Sequence, residues 1–514
     1  LAGLLHNKQQ ATLVFTGDGG ASEGDFHEAV NVAAVWQLPL IIIVENNQWG
    51  LSTPSSEQFR MKSFADKGIG YGIDAISIDG NNVLEVYETV KIECISFRMR
   101  GHEEASGTAY YPEGMADAWK DKDPVLQFEQ LLKSKGILND HLIQVYRKEL
   151  SAHVLEELNI ADNYPDIIPD KHTEINDVYA LFDNRSITPE SEERREIRFI
   201  DAITEGLDEA MQRYPELVLM GQDIARYGGA FKVTEGFIDK YGKERVRNTP
   251  ICEAAIVGAG LGLSIAGIKS MVEMQFADFV SEAFNQIVNN LAKAHYRWNQ
   301  SADVVVRMPT GGGTAAGPYH SQSTEAWFTK VPGLKVVYPA TPEDAKGLLL
   351  QSFADPNPVM FFEHKKLYRS IRGFVPSGYY TVPFGKASIH RQGTQLTIVT
   401  YGMGVHTAIH TLEKYPDIDA EVIDLRTLIP WDQETVLASV RKTGKVIVLH
   451  EDTMVSGFGA EIAAVITEEI FECLDAPVLR AGSMNTPIPF NAELEKQFMP
   501  DIEFEEKLLK LWKY

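Results

Sequence analysis

The sequence is short of cysteine, of long apolar runs and of positive charge. Its three cysteines, Cys94, Cys252 and Cys473, are far apart and form no CxxC pair. This argues against a zinc site or a disulfide framework and favours a reducing compartment such as the cytoplasm. The longest apolar run, LPLIIIV at 38–44, is far below the roughly 20 residues that a membrane-spanning helix needs, so we expect no membrane segment. The net charge of −24 argues against nucleic acid as a partner, because its phosphates would be repelled.

A chain of 514 residues is too long for one hydrophobic core and is expected to divide into about three domains. Short apolar runs alternate with helical stretches, a pattern typical of α/β domains built on parallel sheets. A charged stretch that contains proline interrupts the pattern and is interpreted as a linker. We therefore predict an α/β fold with a first domain at residues 1–150, a linker at 151–195, a second domain at 196–378 and a smaller C-terminal α/β domain at 379–514.

Two places in the first domain suggest that residues are absent from this sequence. The opening LAGLLHNKQQ has the pattern of the middle of a helix that leads into a strand. Near Val90, the predicted helix VLEVYETV runs into the predicted strand IECISF with almost no connecting residues, although such links usually take several. We expect the first domain to be incomplete at its N-terminus and near Val90.

The segment VFTGDGGASEGDF places one carboxylate, Asp18, between glycines where a predicted strand gives way to a predicted helix. Open α/β sheets bind ligands at the carboxyl ends of their strands. Glycines let backbone N–H groups approach phosphate oxygens, and a helix N-terminus favours an anion. A plain strand-to-helix turn has the same features, so this segment alone leaves both interpretations open.

A second polar segment, VENNQWG, follows one helix and one strand later and carries Asn46 and Asn47. The two strands of a βαβ unit are parallel, so Asp18 and Asn47 are expected at the same edge of the sheet. A carboxylate, an amide oxygen and a backbone carbonyl suit Mg²⁺ or Ca²⁺, and diphosphate oxygens would complete the coordination. Asp18 is thus predicted to hold a metal that holds an anion.

The run GDGGASEGDFHEAVNVAAVWQLPLIIIVENNQWGLSTP resembles the α part of the thiamine diphosphate-dependent decarboxylating component of the 2-oxo acid dehydrogenases. The resemblance implies that the side chains of Asp18 and Asn47 bind Mg²⁺ together with the carbonyl of Trp49. It also implies that Gly19 and Gly20 border the diphosphate.

Later segments resemble the β part of the same component: RNTPICEAAIVGAG, VEMQFADF, GGGTAAGPYHSQSTEAWF and GLKVVYPATPEDAKGLL. This resemblance implies that Glu253 is catalytic and contacts the aminopyrimidine ring, that Phe279 stacks on this ring, and that Ile251 and Gln275 lie nearby. From the residues alone, Glu253 also fits a glutamate that faces the dipole at a helix N-terminus. Because both parts follow each other in one chain, the resemblance implies a natural fusion in which both parallel-sheet domains bind thiamine diphosphate.

Two histidines lie in predicted loops, His102 in RMRGHEEASG and His320 in GPYHSQS. By the resemblance both are catalytic and face the thiazolium ring and the substrate carboxylate, although a loop histidine is often only a solvated polar residue. Glu103 stands where mitochondrial members of the family often carry a phosphorylatable serine. We therefore expect no phosphorylation switch there, and we expect a bacterial, cytoplasmic protein.

Other candidate segments carry weaker signals. Asp355 and Asn357 in ADPNPVMFF match positions of a structural monovalent-cation (K⁺) site in relatives, but an Asp/Asn/Pro turn explains them without a cation. YGMGVHTAIH and HEDTMVSGFGAE look like nucleotide loops. We interpret them as ordinary strand-to-helix turns, because the third domain of this family mainly supports subunit contacts and the partner surface.

The resemblance implies an enzyme that carries out the oxidative decarboxylation of a 2-oxo acid and acylates the lipoyl group of a dihydrolipoyl acyltransferase. Branched-chain acids of the 2-oxoisovalerate type are favoured, as in 3-methyl-2-oxobutanoate dehydrogenase. The alternatives are a pyruvate or acetoin dehydrogenase of the same family, a transketolase-like transferase, and an assembly subunit without activity. Cofactor sites of this family form across a subunit boundary, so we expect a homodimer.

Overall fold

The computed structural model describes residues 1–6, 8–89, 92–103, 107–189 and 191–514, with Ile92 described in its backbone only. The described chain forms two compact units, Leu1–Lys171 and His172–Tyr514. The predicted gap near Val90 lies outside the described residues.

The first unit alternates strands and helices. Its strands are β1 (Thr12–Gly17), β2 (Leu40–Asn46), β3 (Trp49–Gly50), β4 (Thr53–Pro54), β5 (Ile76–Asp79) and β6 (Ile92–Ile95). Its helices are α1 (Ala2–Leu5), α2 (Gly24–Val35), α3 (Ser55–Gln58), α4 (Ala65–Tyr71), α5 (Val83–Glu88), α6 (Met115–Lys120), α7 (Pro124–Ser134) and α8 (Asp140–Asp162).

The main sheet of the first unit has the order β1-β2-β6-β5, and each neighbouring pair is parallel. The apolar sequence LIIIVEN of β2 favours a strand, since branched side chains pack well on a pleated surface. β3 and β4 form a short antiparallel hairpin directly after β2. This hairpin therefore lies at the carboxyl end of the parallel strands.

The second unit contains the remaining elements. Its strands are β7 (Arg194–Arg198), β8 (Val218–Gly221), β9 (Val246–Asn248), β10 (Ser270–Glu273), β11 (Val304–Thr310), β12 (Lys335–Val337), β13 (Val359–His364), β14 (Arg372–Pro376), β15 (Ser388–Arg391), β16 (Leu396–Thr400), β17 (Ala420–Asp424), β18 (Thr427–Ile429), β19 (Val446–Thr453) and β20 (Leu479–Ser483). Its helices, of which the first begins at the last residue of the first unit, are α9 (Lys171–Asn176), α10 (Phe199–Arg213), α11 (Phe237–Tyr241), α12 (Glu253–Ile265), α13 (Ala294–Trp298), α14 (Ala326–Thr329), α15 (Pro342–Ala354), α16 (Leu367–Ser370), α17 (Met403–Lys414), α18 (Gln433–Thr443), α19 (Gly459–Ile470), α20 (Ala492–Phe498) and α21 (Asp501–Trp512).

Two larger sheets organise the second unit. The first has the order β18-β12-β13-β11-β10-β8-β9, in which only the β18–β12 pair is antiparallel. The second has the order β15-β17-β16-β19-β20, in which only the β15–β17 pair is antiparallel. β18 follows β17 of the second sheet along the chain but pairs with β12 of the first. The C-terminal part of the chain thus supplies an edge strand to the first sheet.

The core of the second unit lies between its first sheet and the helices that cover it. Every residue of β11, VVVRMPT, is buried, as expected for a parallel strand that is covered on both faces. α10 and α15 contribute Leu207 and Leu349 to the same apolar cluster. The prediction of parallel-sheet α/β domains with a C-terminal α/β domain is thus confirmed. Within the described ranges, no helix has both the length and the apolar character needed to cross a membrane.

Candidate active site

Asp18 is buried at the carboxyl end of β1. The last pair of the β1–β2 register is Gly17 with Glu45, so the residues that follow each strand leave the sheet at the same edge. Asp18 is only 1% exposed, and Nε2 of Gln58 donates a long hydrogen bond of 3.4 Å to its Oδ2. Burial raises the pKa of this carboxyl group, although the backbone N–H groups of Asp18 and Gly19 and the charge of Arg98 oppose the shift. A cation at Asp18 would therefore stabilise its ionised form.

The asparagine pair lies at the end of β2, with Asn46 as the last residue of the strand and Asn47 as the next residue. Asn46 is buried, with its amide donating to Oε1 of Glu93 at 2.9 Å. Oδ1 of Asn47 accepts the backbone N–H of Trp49 at 2.9 Å. An amide oxygen has two lone pairs, so Oδ1 of Asn47 can accept this bond and still face a cation.

Two glycines let the Asp18 turn and the asparagine turn approach each other. A methyl group at Gly19 would lie 3.3 Å from Cα of Gly50, the residue after Trp49. A methyl group at Gly50 would lie 2.7 Å from Nε2 of Gln58, which bonds Asp18. The structure thus brings the turn that contains Asp18 next to β3, which contains Trp49. Their carboxylate and carbonyl oxygens, with the amide oxygen of Asn47, are a donor set that fits Mg²⁺.

Arg98 is a residue that the sequence analysis missed at this edge. Its Nη2 donates to the carbonyl of Leu51 at 3.0 Å and to the hydroxyl of Tyr110 at 2.9 Å. Its Nη1 lies 3.3 Å from Nδ1 of His102, which is exposed. Arg98 therefore links the predicted catalytic histidine to the turn that follows Trp49. The only signal in the sequence is the basic segment RMRGH, which is too short to give a role to either arginine.

In the second unit, Glu253 is the first residue of α12 and is 6% exposed. Nε2 of Gln222 donates to its Oε1 at 2.8 Å. Gln222 comes directly after β8, and nothing in the local sequence marks it as the partner of Glu253. Ile251, two residues before Glu253, is 84% exposed.

His320 lies against two aromatic rings. Its ring meets Phe276 edge to face at a centroid distance of 4.8 Å and Phe279 at 5.6 Å. Gln275 follows β10, and its side chain donates to Oδ2 of Asp223 at 3.1 Å. Phe279 and His320 are thus brought together, and Gln275 is the neighbour of Phe276 in the chain.

These residues follow strands that are neighbours in the first sheet of the second unit. Gln222, Gln275 and the loop with His320 come after β8, β10 and β11, which are parallel. The carboxyl ends of parallel strands form one edge, where α/β sheets bind ligands. Glu253 follows β9, which is parallel to β8, and is therefore expected at the same edge.

A buried lysine, Lys365, also follows a strand at this edge, β13. Its Nζ donates to the carbonyl of Gly311 and lies 5.9 Å from the ring centroid of Phe276. Burial lowers the pKa of Lys365 to about 8, although nearby carboxylates oppose the shift. The sequence analysis missed this residue because a lysine after a strand is usually exposed.

The residues of the predicted K⁺ site already have partners of their own. Asp355 forms an ion pair with Lys335, a positive charge at the place where a cation was expected. Oδ1 of Asn357 accepts the backbone N–H of Ala180 at 2.8 Å. These contacts satisfy both side chains without K⁺.

Three family models match the chain in succession. They are "Dehydrogenase E1 component" at residues 1–169, "Transketolase, pyrimidine binding domain" at 195–370 and "Transketolase, C-terminal domain" at 385–503. The first is the α-type part and the other two form the β-type part, so both parts occupy one chain.

Curated relatives match the β-type part. "2-oxoisovalerate dehydrogenase subunit beta" of Bacillus subtilis is 45% identical over 59% of this chain and 94% of its own length. The mitochondrial protein of that name from Dictyostelium discoideum is 44% identical over 60% of this chain and 84% of its own length. "3-methyl-2-oxobutanoate dehydrogenase subunit beta" of Mycobacterium tuberculosis is 42% identical over 64% of this chain and 95% of its own length.

A solved structure, "Split gene transketolase, inactive beta4 tetramer", has a similar fold. It matches with a TM-score of 0.50 and 23% identity over 62% of this chain and 98% of that chain. At this level of identity the match concerns the fold alone.

Proposed function

This chain belongs to the family of thiamine diphosphate-dependent 2-oxo acid dehydrogenase E1 components, and from that premise we propose that it oxidatively decarboxylates a branched-chain 2-oxo acid. An acid of the 2-oxoisovalerate type is favoured by the names of the relatives that match the β-type part. In this proposal the acyl group passes to the lipoyl group of a dihydrolipoyl acyltransferase, whose disulfide is the oxidant and is reduced to one thiol and one thioester. The chain acts as a homodimer.

In this proposal the first unit binds the diphosphate end of the coenzyme. Asp18, Asn47 and the carbonyl of Trp49 would hold Mg²⁺, which would bind the diphosphate, and Gly19 and Gly20 would border the diphosphate. The support is that two glycines let the turns with Asp18 and Trp49 approach each other. The charge of Arg98, which lies close enough to Asp18 to affect its pKa, would also favour an anion here.

The second unit is assigned the pyrimidine end. Bound thiamine diphosphate supplies the electron sink that lets a 2-oxo acid lose CO₂. Gln222 occupies Oε1 of Glu253, so Oε2 would remain for a hydrogen bond to a ring nitrogen of the bound pyrimidine. Phe279 offers its ring face for stacking, with Ile251 and Gln275 nearby.

The two histidines are proposed to act on the substrate. His102 and His320 orient its carboxylate and donate or accept protons. Phe276 and Phe279 limit the movement of the His320 ring by edge-to-face contact. His102 is instead contacted by Arg98, whose Nη1 lies 3.3 Å from Nδ1 of His102.

The observation that carries this proposal is the buried carboxylate of Glu253 at the start of α12. The test is CO₂ release from 2-oxoisovalerate in the presence of thiamine diphosphate, Mg²⁺ and an artificial electron acceptor. Glu253→Gln should lose nearly all turnover while the fold is kept. Glu413→Gln is the matched control, because the side chains of Glu413 and its partner His410 are 69% and 75% exposed. Full activity of Glu253→Gln would refute the assignment.

Separate measurements test the substrate, the partner and the assembly. A higher kcat/KM with pyruvate than with 2-oxoisovalerate would reject the branched-chain assignment. Failure to acylate an isolated lipoyl domain, despite CO₂ release, would reject the partner. A monomer in light scattering at assay concentration would reject the homodimer.

A further inference from the structure

Residues 310–322, here called the glycine loop, are held by two carboxylates from the C-terminal segment that matches the transketolase C-terminal domain. Glu495, in α20, accepts the backbone N–H of Gly313 at its Oε1 (2.9 Å) and that of Ala315 at its Oε2 (2.8 Å). Glu451, in β19, accepts the backbone N–H of Gly312 at 2.6 Å. Charge-assisted bonds of this kind are stronger than neutral ones, so they fix the backbone of the loop.

The loop needs such support at Ala315, where a residue other than glycine is left-handed. The φ angles of Gly311, Gly313 and Gly317 lie between 76° and 87°, and that of Ala315 is 54°. An alanine rarely adopts this conformation unless its surroundings hold it there. Glu495 bonds the N–H of Ala315 itself.

The C-terminal segment also limits the loop sterically. A methyl group at Gly317 would lie 2.4 Å from the ring of Phe490. A larger residue would have to push this ring aside and adopt the φ of 76° that favours glycine. Three residues later the loop reaches His320, whose backbone N–H donates to the carbonyl of Gly317 at 3.2 Å.

The C-terminal end of the glycine loop is held by Asp278, which follows β10 of the first sheet of the second unit. Asp278, 7% exposed, accepts the backbone N–H groups of Ser321 and Gln322, each at 3.1 Å. His320 thus lies between two anchored stretches. Its ring has little freedom, because Phe276 and Phe279 also contact it.

We propose that Glu495 is a positioning residue of the active site, which sets the glycine loop and through it the place of His320. The consequence for catalysis rests on the proposed function, in which His320 acts on the substrate. Glu495 is a cleaner probe than Glu451, because the second oxygen of Glu451 also bonds His364 at 2.7 Å. The C-terminal domain then contributes to the active site itself, beyond the expected role in subunit contacts.

The test compares Glu495→Gln with Glu493→Gln. The glutamine side chain keeps one acceptor oxygen, but its NH₂ group would face the backbone N–H of either Gly313 or Ala315, so one of these two hydrogen bonds is lost. Glu493 lies on the same helix, has a side chain that is 78% exposed and pairs with Lys496 on the surface. We expect Glu495→Gln to lower kcat/KM for the 2-oxo acid about tenfold or more, and Glu493→Gln to leave it unchanged.

Each variant is also made in a His320→Ala background. If Glu495 acts through His320, Glu495→Gln should cause little further loss there, because the two effects are not additive. An equal loss in both backgrounds, or no loss in either, would overturn the proposal. Should Glu495→Gln fail to fold, Glu495→Asp, which keeps the charge and withdraws the carboxylate by one methylene, takes its place.

A second readout does not depend on the reaction. The amide hydrogens of Gly313 and Ala315 should exchange faster in Glu495→Gln than in Glu493→Gln. Unchanged protection would overturn the positioning role. If the exchange changes but the wild-type protein releases no CO₂ from any 2-oxo acid, the proposed function fails while the loop anchor stands.

Discussion

Arg307→Met should destabilise the second unit strongly. Arg307 lies in β11 and is 1% exposed. Its guanidinium donates to both oxygens of Glu363, each at 2.6 Å, and forms an ion pair with Glu273. Glu363 and Glu273 are 0% and 3% exposed, so methionine would leave two carboxylates buried without their cation.

The size of the effect follows from this burial. Removing one partner of a buried ion pair costs about 3–5 kcal/mol, because the remaining charge is not hydrated. For a unit of this size, whose unfolding entropy is about 0.7 kcal/mol/K, such a loss lowers the unfolding midpoint by about 4–7 °C. Burial already raises the pKa of Glu273 against the charge of Arg307. Without that charge the pKa of Glu273 rises further, so the deficit should shrink as the pH falls and Glu273 takes up a proton.

The measurement is thermal unfolding followed by circular dichroism. Arg185→Met is the control, because Arg185 and its partner Asp183 are 78% and 61% exposed in their side chains, and exposed pairs contribute about 0–1 kcal/mol. The triple variant Arg307→Met, Glu273→Gln, Glu363→Gln should recover much of the loss. Equal, small effects of Arg307→Met and Arg185→Met would refute the reasoning.

Three further predictions concern the two candidate binding edges. Gly50→Ala should weaken binding of Mg²⁺ and thiamine diphosphate several-fold in calorimetry, because its methyl group would lie 2.7 Å from Nε2 of Gln58 and would push aside the amide that bonds Asp18. Gly24→Ala, whose methyl group meets nothing within 4 Å, should bind normally, and equal affinities would contradict the packing argument. EDTA should abolish binding of the coenzyme and added Mg²⁺ should restore it, so binding that survives EDTA would reject the metal. Lys365 has an ordinary pKa of 10.5 that burial lowers to about 8, so the unfolded chain binds more protons between these values. The stability of the wild type relative to Lys365→Met should therefore rise from pH 8 to pH 10 in denaturant titrations, and a constant difference would contradict the burial of this lysine.

Local patterns predicted the architecture well. The apolar segment of β2 and the buried segment of β11 carry enough signal to be recognised as strands, because hydrophobic burial acts on neighbouring residues. The prediction that Asp18 and Asn47 lie at one edge of the sheet has a related basis, since the position of a residue at a strand end is fixed once the strand is known.

Partners from distant parts of the chain were not predictable. Gln222 and Glu253 are 31 residues apart, and Gly313 and Glu495 are 182 residues apart. Such contacts depend on how helices and strands pack together, so the local hydrophobic pattern of the sequence does not predict them. Lys365 was missed because its pKa depends on burial that only the folded chain defines.

The pairing of β18 with β12 affects how this polypeptide can be dissected. Thr427–Ile429 completes a sheet whose other strands all lie earlier in the sequence. A fragment that stops near residue 379 would expose the edge of β12 and invite unwanted strand pairing between molecules. Gene rearrangement or laboratory truncation should therefore succeed near Lys171 and fail near Tyr380, so the last two thirds of the chain are expected to be inherited and expressed as one piece.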